Sequence, residues 1–343
     1  MLVDILSRIV KKLQHFAWED GPSHLYKDVR ISGDSEYINL FCCDGHSGIW
    51  QRLKQDESPL LGDFCIDVFF LNRIFESMDK TISVDLKFKD NIFYISNNKI
   101  NLKLSTMASD QIPIVSKGKD FESLNNEFLH ELRSVIPGVN DDSPIIYNGN
   151  QLFYANPRSL IYIPTNKFEH DLSIEQKFAT KIFVDHFTLV SRNEGLTYFK
   201  NDDCEIFIPS FNGKILKIDP IVNRVTNEYK INCKVNVKEV TDICNVVHKI
   251  FDFGKDLDPR IILRLNREEF SFNFYDNSFK ILDYVFDHDA SIAYAIPLNH
   301  LKMITKLSFT QGMDYITFKF ASTNDFFACA NNNLLFVGGL YRV

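Results

Sequence analysis

The sequence predicts an α+β fold of three domains, each built from two helix-plus-antiparallel-sheet units. Three observations predict it. Short amphipathic helical patterns recur six times, about every 55–65 residues. Each is followed by runs that alternate apolar and polar residues, as half-buried strands do. Two polar breaks divide the chain, SKGKD at 116–120 and DPIVNRVTNE at 219–228, the second carrying a proline. Two units make a domain of roughly 110 residues, a comfortable size for one core. The domains fall at 1–117, 118–222 and 223–343.

The first helix places Leu2, Ile5, Leu6, Ile9, Leu13 and Phe16 on one face, with Arg8, Lys11, Lys12 and His15 mostly away from it. Short strands follow, with turns at Gly33-Asp34 and Asp44-Gly45. A second helix is expected over 67–79, then further strands with a hairpin turn at Asp90-Asn91. The stretch INLKLSTMASDQIPIV, 100–115, reads as a two-faced strand, a polar connector and an apolar plug fixed by a proline. It is expected to be the last strand of the first domain, with Ile112-Pro113-Ile114 anchoring the crossing to the second. Further helices are expected at 121–135, 183–193, 236–251 and 297–307.

Length, composition and charge narrow the function classes. The 343 residues are 45% hydrophobic and 24% charged, an ordinary balance for a globular protein. No apolar run is long enough to cross a membrane. The first residues interleave charges with apolar side chains, unlike a secretory leader, and a cytoplasmic location is expected. The seven cysteines are scattered, and no metal-ligand spacing or phosphate-binding glycine loop occurs, so no cofactor is expected. The net charge of −7 argues against a wholly basic surface but leaves room for a local basic lining.

The order and spacing of the six units resemble those of the bacterial beta sliding clamp, the processivity subunit of DNA polymerase III. That family opens with a helix and then a strand ending in a Thr-Asp turn, where this chain has Cys43-Asp44-Gly45-His46. Its first domain closes on a Leu-Pro-x-x-x-Phe-Pro element, which LKLSTMASDQIPIV resembles. Its second domain carries ATDGHRL where this chain has YANPRSL, and its C-terminal MPMRL corresponds to GLYRV. The resemblance spans essentially the whole chain. Its divergence suits a clamp encoded by a phage or mobile element.

The resemblance implies a non-catalytic ring, most simply a head-to-tail homodimer, around duplex DNA. Such a ring contacts phosphates rather than bases, since it must slide on any sequence. The cations expected to line it are Arg8, Lys11 and Lys12 on the first helix, Arg73 on the second and Arg133 on the third. Arg192 stands on the fourth, Lys249 on the fifth, and Lys302 and Lys306 on the sixth. Acidic residues such as Glu122, Glu127 and Glu131 would lie toward the flanks. A polymerase and a clamp loader would dock short peptide motifs in an apolar groove. That groove would use Arg158, Leu160, Pro220, Val222, Val337, Tyr341 and Val343.

Two alternatives compete. A clamp-fold platform that binds partners without encircling DNA fits the acidic total. An enzyme built on Cys42, Cys43, Asp44 and His46 fits the local run CCDGHS. A tight Asp-Gly turn explains that run more simply.

Overall fold

The computed structural model describes residues 1–343 except 56–58, 113–114, 125, 137–142, 149–150, 157, 165–170, 251–258, 287, 290, 322–325, 331–333, 340 and 343. The chain forms two compact units. One comprises 1–124 with 177–211, and the other 125–176 with 212–343. Seven α-helices lie among the described residues: α1 (Val3–Gln14), α2 (Val68–Ser77), α3 (Asn126–Val135), α4 (Gln176–Ala179), α5 (Asp219–Glu228), α6 (Val237–Ile250) and α7 (Leu298–Thr310).

In the first unit, an eight-stranded antiparallel sheet has the order Gly62–Asp67, Asp28–Gly33, Tyr37–Cys43, Gly48–Lys54, Cys204–Pro209, Leu196–Lys200, Leu189–Asn193, Glu122–Ser123. Strand Gly48–Lys54 pairs directly with Cys204–Pro209, so residues from the expected first and second domains share one sheet. A three-stranded sheet, Asp85–Lys89, Ile92–Ser96 and Asn101–Ser105, completes the unit. The Asp90-Asn91 turn is present, both residues with positive φ (53° and 58°), the geometry of a tight two-residue hairpin.

Helices α1 and α2 pack together over the inner face of the larger sheet. Leu6, Ile9, Val10 and Leu13 of α1 meet Val29, Ile31 and Ile38 of the sheet and Leu71 and Phe75 of α2. Each buried side chain of this size contributes roughly 1.5–3 kcal/mol. Asp4 in the first turn of α1 and Lys11 and Lys12 in its last turn match the helix dipole. Asp67 starts α2 by accepting from the N–H groups of Phe69 and Phe70 at 2.8 and 2.9 Å.

The connector after Asn101–Ser105 ends as expected at its anchor. Ile112 is buried with Phe41, Cys43, Cys65, Tyr198 and Phe207. Pro113 and Ile114 lie outside the described residues. The 116–120 break is extended and pinned to the sheet: the Gly118 N–H donates to Glu205 at 2.8 Å, and the Tyr198 hydroxyl donates to the Ser116 carbonyl at 3.3 Å. A Cβ at Gly118 would lie 2.7 Å from the Phe121 ring and 2.9 Å from the Tyr198 ring, so only glycine fits.

The second unit holds a nine-stranded sheet ordered Asp171–Glu175, Pro144–Asn148, Gln151–Ala155, Ser159–Pro164, Leu335–Gly339, Phe326–Ala330, Tyr315–Phe320, Ile231–Asn236, Tyr284–Phe286. A five-stranded sheet runs Asn277–Ile281, Phe270–Phe274, Arg260–Leu265, Ile292–Pro297, Tyr341–Arg342. Helices α6 and α7 pack against each other, and α3 lies on strand Gln151–Ala155 and touches α7.

Two expected elements differ. The helix read at 183–193 does not form. Only α4 and a 3-10 stretch, Thr180–Val184, occupy this part of the repeat, and Leu189–Asn193 is a strand. Thr188 and Val190 are β-branched, and Glu194-Gly195, both with positive φ, close a hairpin onto Leu196–Lys200. That pairing outweighs the helical spacing of the apolar residues. The segment 219–228, read as a domain break, is helix α5, with Pro220 in the first turn, where its missing N–H costs nothing.

Candidate DNA-facing helices and partner groove

In the first unit, Arg8 and Lys11 are exposed on α1 and Arg73 on α2. Arg8 is paired along its own helix with Asp4 at 3.1 Å. Lys12 is drawn inward. It donates to Gln51 Oε1 at 2.8 Å and forms an ion pair with Asp185. Arg192, expected on a helix, instead lies exposed on strand Leu189–Asn193 opposite Thr197. In the second unit, Arg133 on α3, Lys249 on α6 and Lys306 on α7 are exposed, while Lys302 is half-buried on α7.

The run CCDGHS is a structural turn. Asp44 accepts from the N–H groups of His46 and Ser47 at 2.9 and 2.7 Å and from the Ser47 hydroxyl at 3.0 Å. Gly45 takes φ +90°, and a Cβ there would lie 2.7 Å from the Tyr26 ring. Lys181 forms an ion pair with Asp44 and donates to the Ser47 hydroxyl at 2.7 Å. Burial would raise the Asp44 carboxyl, but Lys181 and the turn N–H groups outweigh it and hold the group below the usual carboxylate range. Burial pushes the Cys42 and Cys43 thiols up, the opposite of what a thiolate nucleophile requires. Among the described residues, no group of His, Cys, Asp or Glu side chains is placed to hold a metal ion.

In the second unit, strand Ser159–Pro164 pairs with Leu335–Gly339, setting Leu160 opposite Val337. Both side chains are buried, at 3% and 5% exposure, so they form the floor of this region rather than its open surface. Asn156 shapes the preceding turn, accepting from the N–H groups of Arg158 and Ser159 at 2.8 and 2.7 Å. Arg158 is exposed, and its carbonyl accepts from Gly339 N–H at 3.2 Å. The start of α5 lies beside this strand. Burial, and then the nearby Asp219 carboxylate, push the Tyr162 hydroxyl up. On α5, Pro220 is exposed and Val222 half-buried.

The structure brings Arg158, Leu160 and Val337 together on two paired strands, and sets Asp219, next to Pro220, near Tyr162 of the same strand. Tyr341 pairs with Ala295 in the five-stranded sheet, and Val343 lies outside the described residues. Sequence reading missed Ile215, Leu216 and Ile221, exposed apolar residues leading into and along α5. It also missed Lys177 and Lys181, because their segment was not read as part of a helix. The signal for Ile215, Leu216 and Ile221 was the apolar ILKI-DPIV spacing around Pro220.

Helices laid on long antiparallel sheets in repeated units define the fold of a DNA sliding clamp. Solved structures similar to this chain include DNA polymerase III beta subunits. The chain is similar over 100% of its length to 99% of the subunit from Pseudomonas aeruginosa, with a TM-score of 0.82 and 11% identity. The same coverage relates it to the beta subunit of Streptococcus pyogenes, with a TM-score of 0.84 and 12% identity. It also relates it to the Helicobacter pylori beta clamp bound to a DNA ligase peptide, at 0.81 and 15%. No protein-family model and no curated protein matches the sequence. Among the described residues, no helix is long and apolar enough to cross a membrane.

Proposed function

We propose that this chain is a DNA polymerase processivity factor that encircles duplex DNA as a head-to-tail homodimer and performs no reaction itself. The observation that carries the reading is the full-length structural likeness to polymerase III beta subunits, with TM-scores of 0.82 and 0.84. Three domains, 1–117, 118–222 and 223–343, would then be linked by those shared sheets. Strand Asn101–Ser105 stands at the edge of its three-stranded sheet, and Asn277–Ile281 at the edge of its five-stranded sheet. Pairing across such edges would close the ring and cover strands that otherwise invite aggregation.

Arg8, Lys11, Arg73, Arg133, Lys249, Lys302 and Lys306 are the cations offered to phosphates, with no base readout. A polymerase and a clamp loader would insert short apolar peptide motifs beside Leu160 and α5; the similar Helicobacter pylori clamp is bound to a DNA ligase peptide. The cytoplasm is the compartment this role requires.

A second reading has its own observation. Lys12 is tied to Asp185 and Arg8 to Asp4, which lowers the charge available to DNA. A partner platform that does not encircle DNA fits that loss. Light scattering with and without nicked circular DNA separates the two. A dimer retained on circles and released when they are linearised supports the clamp. A monomer that never associates with circles supports the platform.

A further inference from the structure

Asp4, Arg8, Lys11 and His15 are spaced by four, three and four residues, so they form one stripe along α1 and just past its end. Arg8, Lys11 and His15 are exposed. The stripe runs into the short segment that stands where a fourth long helix was expected. There the Lys181 ammonium lies 5.1 Å from the Phe16 ring centre and 5.7 Å from that of Phe178. Lys177 lies 5.0 Å from the Phe178 ring, and the His46 ring is 6.5 Å from it. Three separate parts of the first unit therefore bring cations and imidazoles to one place.

The charged groups that act on His15 are Lys181 from the short segment and Lys11 from α1. Asp185 is matched by Lys12, and Asp44 by Lys181. Among the described residues, the charges that act on the imidazole are therefore both positive.

We propose that His15 makes the grip of this protein on duplex DNA proton-linked: a phosphate arriving beside Lys11 and His15 draws a proton onto the imidazole. The inference rests on the reading of the chain as a DNA-encircling clamp. Without DNA, partial burial of the ring, and then the charges of Lys181 and Lys11, hold His15 below the ordinary histidine range. A phosphate within about 4–6 Å acts in the opposite direction and favours the charged ring. DNA-bound protein then holds more protons than free protein, so association strengthens as pH falls through the histidine range. It levels off once the free ring is also charged.

The test is the affinity of the fluorescently labelled full-length protein for a nicked circular duplex, measured by anisotropy between about pH 6 and 8 at fixed low salt. One linked proton gives about three- to tenfold tighter binding at the acid end. Proton uptake is read independently by calorimetry in buffers of different ionisation heat. His15→Gln, at an exposed position beyond the helix, should flatten the pH profile and abolish the uptake. His15→Lys, permanently charged, should bind at pH 8 about as tightly as wild type does at pH 6. His46→Gln should keep the slope. Binding whose pH slope is the same in wild type and His15→Gln overturns the inference and leaves the clamp reading standing. Absence of duplex binding at every pH overturns the clamp reading, and the inference with it.

Discussion

Lys181 reaches the Asp44 carboxylate across 137 residues of sequence, joining the short 3-10 segment to the turn between Tyr37–Cys43 and Gly48–Lys54. Both side chains are mostly buried, at 15% and 14% exposure. Lys181→Ala leaves a carboxylate with only turn N–H and hydroxyl partners and should cost about 1–3 kcal/mol. Asp44 is held below its unfolded value. Its stabilising contribution is therefore present above about pH 4 and is lost as pH falls through the lower folded value. Thermal melts should show the variant losing less stability than wild type between about pH 4 and 2. Identical acid sensitivity would remove this ion pair from the account.

Neighbouring lysines on α1 should separate cleanly. Lys12 points inward to Gln51 and Asp185, whereas Lys11 is exposed. Lys12→Ala should lower stability by about 1–2 kcal/mol with little change in DNA association. Lys11→Glu should leave the melting temperature within about a degree or two and weaken DNA association severalfold, with a smaller salt slope. Paired melting and anisotropy measurements decide it.

Asp28 is 1% exposed, and neither carboxylate oxygen has a hydrogen-bond partner. Burial raises it to about 6, with His24 opposing and Asp67 adding to the rise. A folded value above the unfolded one means stability is lost as pH rises from about 4 to 6, and the penalty persists at neutral pH. Asp28→Asn removes the charge and should stabilise the protein by about 1–3 kcal/mol at pH 7.5. At pH 4.5 it should change little. Equal effects at both pH values would show that ionisation is not the cause.

Partner docking is best tested at the exposed rim rather than the buried floor. Leu160→Ser would damage the core, since Leu160 is buried opposite Val337. Ile221, at 43% exposure on α5, can be changed without that cost. Ile221→Asp should keep the melting temperature and reduce capture of a polymerase C-terminal peptide about tenfold or more. Undiminished capture would place the docking site elsewhere.

The helices with clear apolar faces were legible in the sequence. So were the strands bounded by Asp-Gly and Asp-Asn turns. Four of the six repeated helices lie within a few residues of their expected bounds, because periodicity and local turn chemistry are short-range signals; the third, expected at 121–135, starts only at Asn126, and Glu122–Ser123 is a strand. The failure at 183–193 has the same origin. FVDHFTLV carries apolar spacing compatible with a helix, and only pairing with Leu196–Lys200 resolves it as a strand. The site was less legible than the fold. Nothing local reveals that Lys12 finds Asp185 while Lys11 does not, or that Leu160 is floor and Ile221 is rim. Those distinctions depend on contacts between residues far apart in sequence.

The pairing of Gly48–Lys54 with Cys204–Pro209 also sets a timetable. Arg52 donates to the carbonyl of Asp202, 150 residues further along the chain. At ribosomal rates of about 5–20 residues per second, roughly 10–30 s separate the synthesis of these partners. Throughout that interval the strand carrying Trp50 is an open edge with an aromatic side chain upon it. Strand Ser159–Pro164 waits longer still, for Leu335–Gly339 near the end of the chain. The eight-stranded sheet has all its strands only once Pro209 is made, and the nine-stranded sheet only once Gly339 is made. Nascent and truncated chains that lack these partners would expose open strand edges and be prone to aggregate.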